Sequence, residues 1–278
     1  MAERVHPVSA PTPNIGISYP STRSRTNPVK RWLFAEISEW ADVTLLDPNT
    51  EHPDLVSRGF DLYHMARQSN GSLADLQRAC RGSVRTVNPS AGVELLTDRL
   101  RCLQRLEANC VRVPDYAYGR CEEIDLEPPV VVKPRNEIDD TCHDLMTVLD
   151  GPLEFDGERL VEKHVPGQCV KIHRLGDEIR AVATPDAEQT PPRECEPTRQ
   201  MTAIAERIAD VTGMTLFEVD FVGDEDLFVI DVNSAVSVSG VADGKQVYKD
   251  LLSNLAETEN RPSKSTDTRE AITHNVKQ

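Results

Sequence analysis

Three consecutive runs near the start of the chain restrict the fold more than any other feature. NIGISYP (14–20) is a short β-branched run, VKRWLFAEISEWA (29–41) has apolar residues at helical spacing, and DVTLLDP (42–48) is a second strand-like run. A strand, helix and strand within about forty residues open an α/β domain. GFDLYHMAR and GSVRTVNPS read as further strands around the polar helix SLADLQRAC, closing a first unit near residue 88. The stretch before it, MAERVHPVSAPTP, is proline-rich and aperiodic, so residues 1–13 read as a flexible leader ahead of a 14–88 α/β domain.

Beyond residue 88 the patterning changes. Asn88-Pro89 starts a new element, with the Asn88 side chain placed to cap it. One long helix, ELLTDRLRCLQRLEANC, then puts Leu96, Leu100, Leu103 and Leu106 on one face, with Asp98 and Arg99 at its start. PPVVVKPRN is a buried-looking strand carrying one lysine, Lys133. RLVEKHVPG and VKIHRLGDEIRAVAT read as antiparallel strands, the second turning at Gly176-Asp177. PTRQMTAIAERIADVTGM is an amphipathic helix stopped by Gly213, and GKQVYKDLLSNLA is the last helix. Residues 257–278 are almost without apolar content and read as a disordered tail.

Composition removes several classes of function. With 31 Lys plus Arg against 46 Asp plus Glu, the net charge of −15 argues against broad nucleic-acid or anionic-membrane binding. Seven cysteines without a CxxC pair suit reduced thiols and a cytoplasmic setting rather than a disulfide framework. No run approaches the roughly 18 apolar residues of a membrane span. P-loop, dinucleotide-binding, GxSxG and HExxH motifs are all missing.

The acidic segment LFEVDFVGDEDLFVIDVNS (216–234) reads as a hairpin pairing Val222 with Leu227. Phe217, Val219, Phe221, Phe228, Ile230 and Val232 then share one face, and Glu218, Asp220, Asp231 and Asn233 the other. In that register Asp220 and Asp231 are diagonal neighbours, about 7–8 Å apart at the backbone. Such a face is either a solvated hairpin surface or a hard-oxygen set suited to Mg²⁺. Lys133 is likewise either an exposed edge residue or a phosphate ligand, because burying an unpaired lysine is unfavourable. Lys171 and Arg174 read as solvated charges, and His143 as a helix-start or surface histidine or an acid–base group.

The order of these features, a strand lysine, an apolar strand ending in Pro-Gly, a lysine strand with Gly-Asp, a helix, then D…DxN, resembles the ATP-grasp superfamily over roughly residues 88–255. The resemblance implies ATP held between two α+β subdomains, at 89–160 and 161–256, beside an N-terminal α/β domain. It implies that Arg99 and Lys133 bind ATP, and that the backbone of Glu162, Lys163, His164 and Val165 reads adenine. Asp220, Asp231 and Asn233 would hold Mg²⁺, while His143 and Lys171 would face the substrate or the γ-phosphate. LLTDR, KPR…CHDLM, VKIHRLGDE and LFEVD…VIDVN look like the inositol trisphosphate 5/6-kinase branch, so the first expectation is phosphoryl transfer to a small metabolite. The ribosomal-protein glutamate ligase type is the alternative, acting on an amino acid or peptide through an acyl phosphate. A nucleotide-binding pseudoenzyme is the third.

Overall fold

The structure, a computed structural model, describes residues 12–20, 28–138, 144–184, 192–223 and 226–257. Its first unit contains β1 (Asn14–Ser18), α1 (Pro28–Ile37), β2 (Asp42–Leu46), β3 (Leu62–Met65), α2 (Asn70–Arg81) and β4 (Arg85–Thr86). The strands form one parallel sheet in the order β2-β1-β3-β4. Ser69 caps α2 by accepting from the Ser72 amide, as expected where a short hydroxyl precedes a helical run.

Helices α3 (Ser90–Thr97) and α4 (Arg99–Ala108) follow where one long helix was expected. The chain breaks at Asp98, whose backbone is extended (φ −109°, ψ 94°) and whose side chain caps α4 at the Arg101 amide. Leu96, Leu103 and Leu106 are buried, because both short helices lie on the same core, but Leu100, expected on the same face, is only half-buried after the break. The expected Asn88 cap is also corrected. Its amide donates to Leu216 O and accepts from the Thr215 and Leu216 amides, tying the start of α3 to a distant strand.

An antiparallel sheet is built next, in the order β5-β8-β6-β7, from β5 (Tyr116–Gly119), β6 (Val130–Lys133), β7 (Met146–Val148) and β8 (Arg159–Lys163). A second has the order β11-β10-β9-β12-β13 and uses β9 (Cys169–Leu175), β10 (Glu178–Thr184), β11 (Arg193–Cys195), β12 (Leu216–Val222) and β13 (Phe228–Asn233). Helices α5 (Arg199–Thr212) and α6 (Gly244–Glu257) complete the chain, α5 ending at Gly213 in the left-handed region (φ 68°). The strands β5, β7 and β11 carry no clear alternation and are legible only through their partners.

Core packing divides unequally. Leu76, Val93 and Leu106 share one apolar cluster with Ile172, Ala205 and Phe217, and Ile15, Leu33 and Ile37 share another with Leu216, Tyr248 and Leu252. The parallel sheet and the five-stranded sheet are therefore welded together. The four-stranded sheet rests on a small core of its own around Val130, Val132 and Val161.

His64 joins the second of these clusters. It is 2% exposed and shares a 2.5 Å hydrogen bond with the Tyr248 hydroxyl of α6. Burial, then the charge of Lys30, holds its imidazole down to about 3. The folded state thus keeps it neutral, whereas an unfolded chain would protonate it below about 6.5. Its contribution is complete above that pH and is lost as pH falls toward 3, by up to about 1.4 kcal/mol per unit. In urea melts, His64→Gln should lose about 2 kcal/mol less than the parent protein between pH 6.5 and 4.5; equal losses would exclude His64 as the source.

The six described cysteines are all free. Among the described residues no helix is long and apolar enough to cross a membrane.

Candidate active site

A cleft of about 340 Å³ opens between the four-stranded sheet and the β12–β13 hairpin. It gathers Arg99, Lys133, Glu162, Lys163, His164, Val165, Asp220 and Asp231, eight residues that sequence patterns nominated one by one. Asn233 reaches the same place through its amide, which donates to Asp231 Oδ2 at 2.7 Å. His143 lies outside the described residues.

Lys133 is not an exposed edge residue. It is 8% exposed, and its ammonium donates to Glu162 Oε2 and, across the cleft, to Ile230 O, both at 2.8 Å. An ammonium has three donors, so one is left to face the cleft. Burial holds the Glu162 carboxyl above its usual range despite the opposing pull of Lys133. The Lys163 side chain turns aside to Glu127 O at 2.8 Å. Backbone amides of Lys163 and His164 are spent on Asp115 O and Pro129 O, which fixes the strand end as a rigid wall.

The hairpin differs from the expected register. Val222 pairs with Phe228 rather than Leu227, and a bulge follows Asp220, so that Asp220 stands directly opposite Asp231 and Phe221 opposite Val229. The extra residue, Ile230, breaks the alternation. Val229 and Val232 therefore enter the core, whereas Ile230 lines the cleft instead of sharing the apolar face. Direct opposition brings the two carboxylates closer than the diagonal arrangement would. Of the turn carboxylates, Asp224 and Glu225 lie outside the described residues, and Asp226 is exposed and pairs with Arg112.

Lys171, on β9, is no solvated charge. Its ammonium lies 2.8 Å from Asp220 Oδ1 and 3.1 Å from Glu218 Oε1. Burial works against its charge, but Glu218 and Asp220 overcome that and raise its pKa. Burial pushes Asp220 up to about 6, against the pull of Lys171. Beside them, His173 is fully buried with Nδ1 3.5 Å from Glu218 Oε2, and burial lowers its pKa. Arg174, by contrast, makes no ion pair among the described residues.

One residue that the sequence reading passed over belongs to the site. Glu137, in the loop after β6, is 6% exposed, with Oε1 3.1 Å from Arg99 Nε. Burial and then the neighbouring Asp231 raise its carboxyl well above the usual range. Nothing in KPRNE separates this glutamate from a solvated loop residue until Arg99 is brought to it.

Hard carboxylate and amide oxygens at Asp220, Asp231, Asn233 and Glu137 fit Mg²⁺. Among the described residues no three His, Cys, Asp or Glu side chains already converge on one cation position, and the Lys171 ammonium neutralises Asp220 instead. A cation entering here competes with that lysine.

No family model matches the sequence, and no curated protein matches it either. Solved structures do match its fold. A RimK-domain ATP-grasp protein from Sphaerobacter thermophilus superposes with a TM-score of 0.69 at 19% identity, over 86% of this chain and 98% of that one. The D-alanine–D-alanine ligase from Bacillus anthracis, complexed with ATP, gives 0.68 at 15% identity over 90% and 97%. An ADP complex of N5-carboxyaminoimidazole ribonucleotide synthetase gives 0.65 at 15% identity over 83% and 72%. With three sheets in this order and a lysine-and-carboxylate cleft between the last two, the chain has the ATP-grasp fold.

Proposed function

We propose that the protein is an ATP-dependent carboxylate–amine ligase that activates its carboxylate substrate as an acyl phosphate. The observation that carries this reading is the fold overlap, over 83–90% of this chain, with a RimK-domain protein, a D-alanine–D-alanine ligase and a ribonucleotide synthetase, of which two are ligases or synthetases by name. Phosphoryl transfer to a hydroxyl, the first expectation from the DVN and KPR motifs, becomes the second reading. The acceptor decides between them, and the cleft's phosphate-facing residues serve either.

In this reading the strand end from Glu162 to Val165 borders the adenine, and Val131, Val222 and Ile230 supply apolar cover. The third donor of Lys133 and the guanidinium of Arg99 take phosphate oxygens, steadying charge that spreads in the transition state. Asp220, Asp231 and Asn233 would hold Mg²⁺, which when bound would neutralise phosphate charge. Lys171, once displaced from Asp220, is free to orient the transferred phosphoryl group or the acceptor carboxylate.

Hydroxylamine separates the readings, because it intercepts an acyl phosphate as a stable hydroxamate. With ATP, Mg²⁺ and panels of amino acids and peptides, a ligase gives hydroxamate together with ADP and free phosphate. ADP with a stable phosphorylated product, and neither phosphate nor hydroxamate, would replace the ligase with a kinase. ATP binding without turnover on any acceptor would favour the pseudoenzyme.

A further inference from the structure

Negative charge in the cleft is matched unevenly. Glu162 is paired with Lys133, and Glu218 and Asp220 share Lys171. Asp231 receives, among the described residues, only the neutral Asn233 amide. Beside it stands Glu137, whose Oε2 is buried and meets no hydrogen-bond donor. Glu137 Oε1 is held by Arg99, so the pair is short of partners only at Asp231 and at Glu137 Oε2. Ionised together the two would be unfavourable unless a cation joined them; without one, burial and then Asp231 favour the protonated form of Glu137. The neighbouring protein cations are already engaged: Arg99 by Glu137 Oε1 and Pro134 O, and Lys133 by Glu162 and Ile230 O.

The backbone holds Glu137 in this position from both sides. Its amide donates to Thr97 O at 3.0 Å, and the Arg99 amide donates to Arg135 O at 2.9 Å. Asp98 grips Arg135 through two hydrogen bonds, at 2.9 and 2.7 Å. The break between α3 and α4 therefore clamps the first residues after β6 and delivers a carboxylate to Asp231.

We propose that Glu137 is a ligand of the divalent cation, holding it together with Asp231 through the free Oε2. The inference rests on the reading of the cleft as a Mg–ATP site. Two carboxylates and an amide oxygen make a hard set that takes Mg²⁺ or Mn²⁺.

Binding of Mn²⁺ to the full chain, followed by the electron paramagnetic resonance of the free ion with and without the non-hydrolysable analogue AMP-PNP, tests it. Glu137→Gln should weaken Mn²⁺ binding by at least about tenfold, and Glu137→Asp by less. Should the glutamine variant not fold, the aspartate variant carries the test, and Mn²⁺ affinity equal to the parent's overturns the proposal. Unchanged or tighter Mn²⁺ binding by Glu137→Gln removes Glu137 from the metal site and leaves the Mg–ATP reading standing. A parent protein that binds neither Mn²⁺ nor AMP-PNP overturns both.

Discussion

Asp231→Ala is expected to abolish Mg²⁺-dependent ATP turnover while leaving the fold as stable as before, or slightly more so. Asp231 faces Asp220 across the strand pair and has Glu137 at its side, and among the described residues no lysine or arginine pairs with Asp231 itself. Removing one of these carboxylates relieves repulsion in a site where charge is poorly solvated. Function should suffer in proportion. Losing even an outer partner of a metal site costs about 10–100-fold, and losing a charged ligand should cost at least about a hundredfold in turnover. Thermal melting beside an ADP-release assay checks both halves. Undiminished turnover would remove Asp231 from the metal set.

Lys133→Met should fail in a different way, losing stability and turnover together. Lys133 and Glu162 are buried ion partners at 2.8 Å, and the lysine also ties β6 to β13 through Ile230 O. Truncating one member leaves a buried, unpaired charge, which costs about 3–5 kcal/mol. Glu162 answers part of this by binding a proton, since burial already holds its carboxyl above the usual range. The double variant Lys133→Met with Glu162→Leu should therefore recover most of the lost stability, because an apolar pair of similar volume avoids the desolvation penalty. Neither variant should regain turnover, since both lack the third ammonium donor. Urea melts and ADP release on the two variants separate the structural role from the phosphate-binding one. A double variant as unstable as the single would show that the ion pair is not the source.

Much of the site was legible as a linear pattern because strand and helix periods carry faces with them. Lys133 in an apolar run, the Pro-Gly exit after Val165 and the D…DxN spacing all survive folding as one cleft. What failed was whatever depended on a single-residue offset. Pairing Val222 with Leu227 satisfies alternation equally well on paper, but the bulge at Ile230 moves Val229 into the core and brings Asp231 opposite Asp220. The helix expected from Glu94 to Cys110 is broken at Asp98, and Leu100 leaves the buried face, yet the apolar spacing runs on without interruption, so periodicity could not show the break.

The sequence by itself indicated most element types and nominated eight of the residues that line the cleft, because these follow from local periodicity and side-chain type. Tertiary structure alone decided how the charges are partnered. Lys171 neutralises Asp220, Lys133 joins two sheets, and Glu137 arrives beside Asp231 from a loop nearly a hundred residues earlier. Ion pairing depends on distances of a few ångströms between segments remote in sequence, and only the packed sheets and the clamp at Asp98 set those distances.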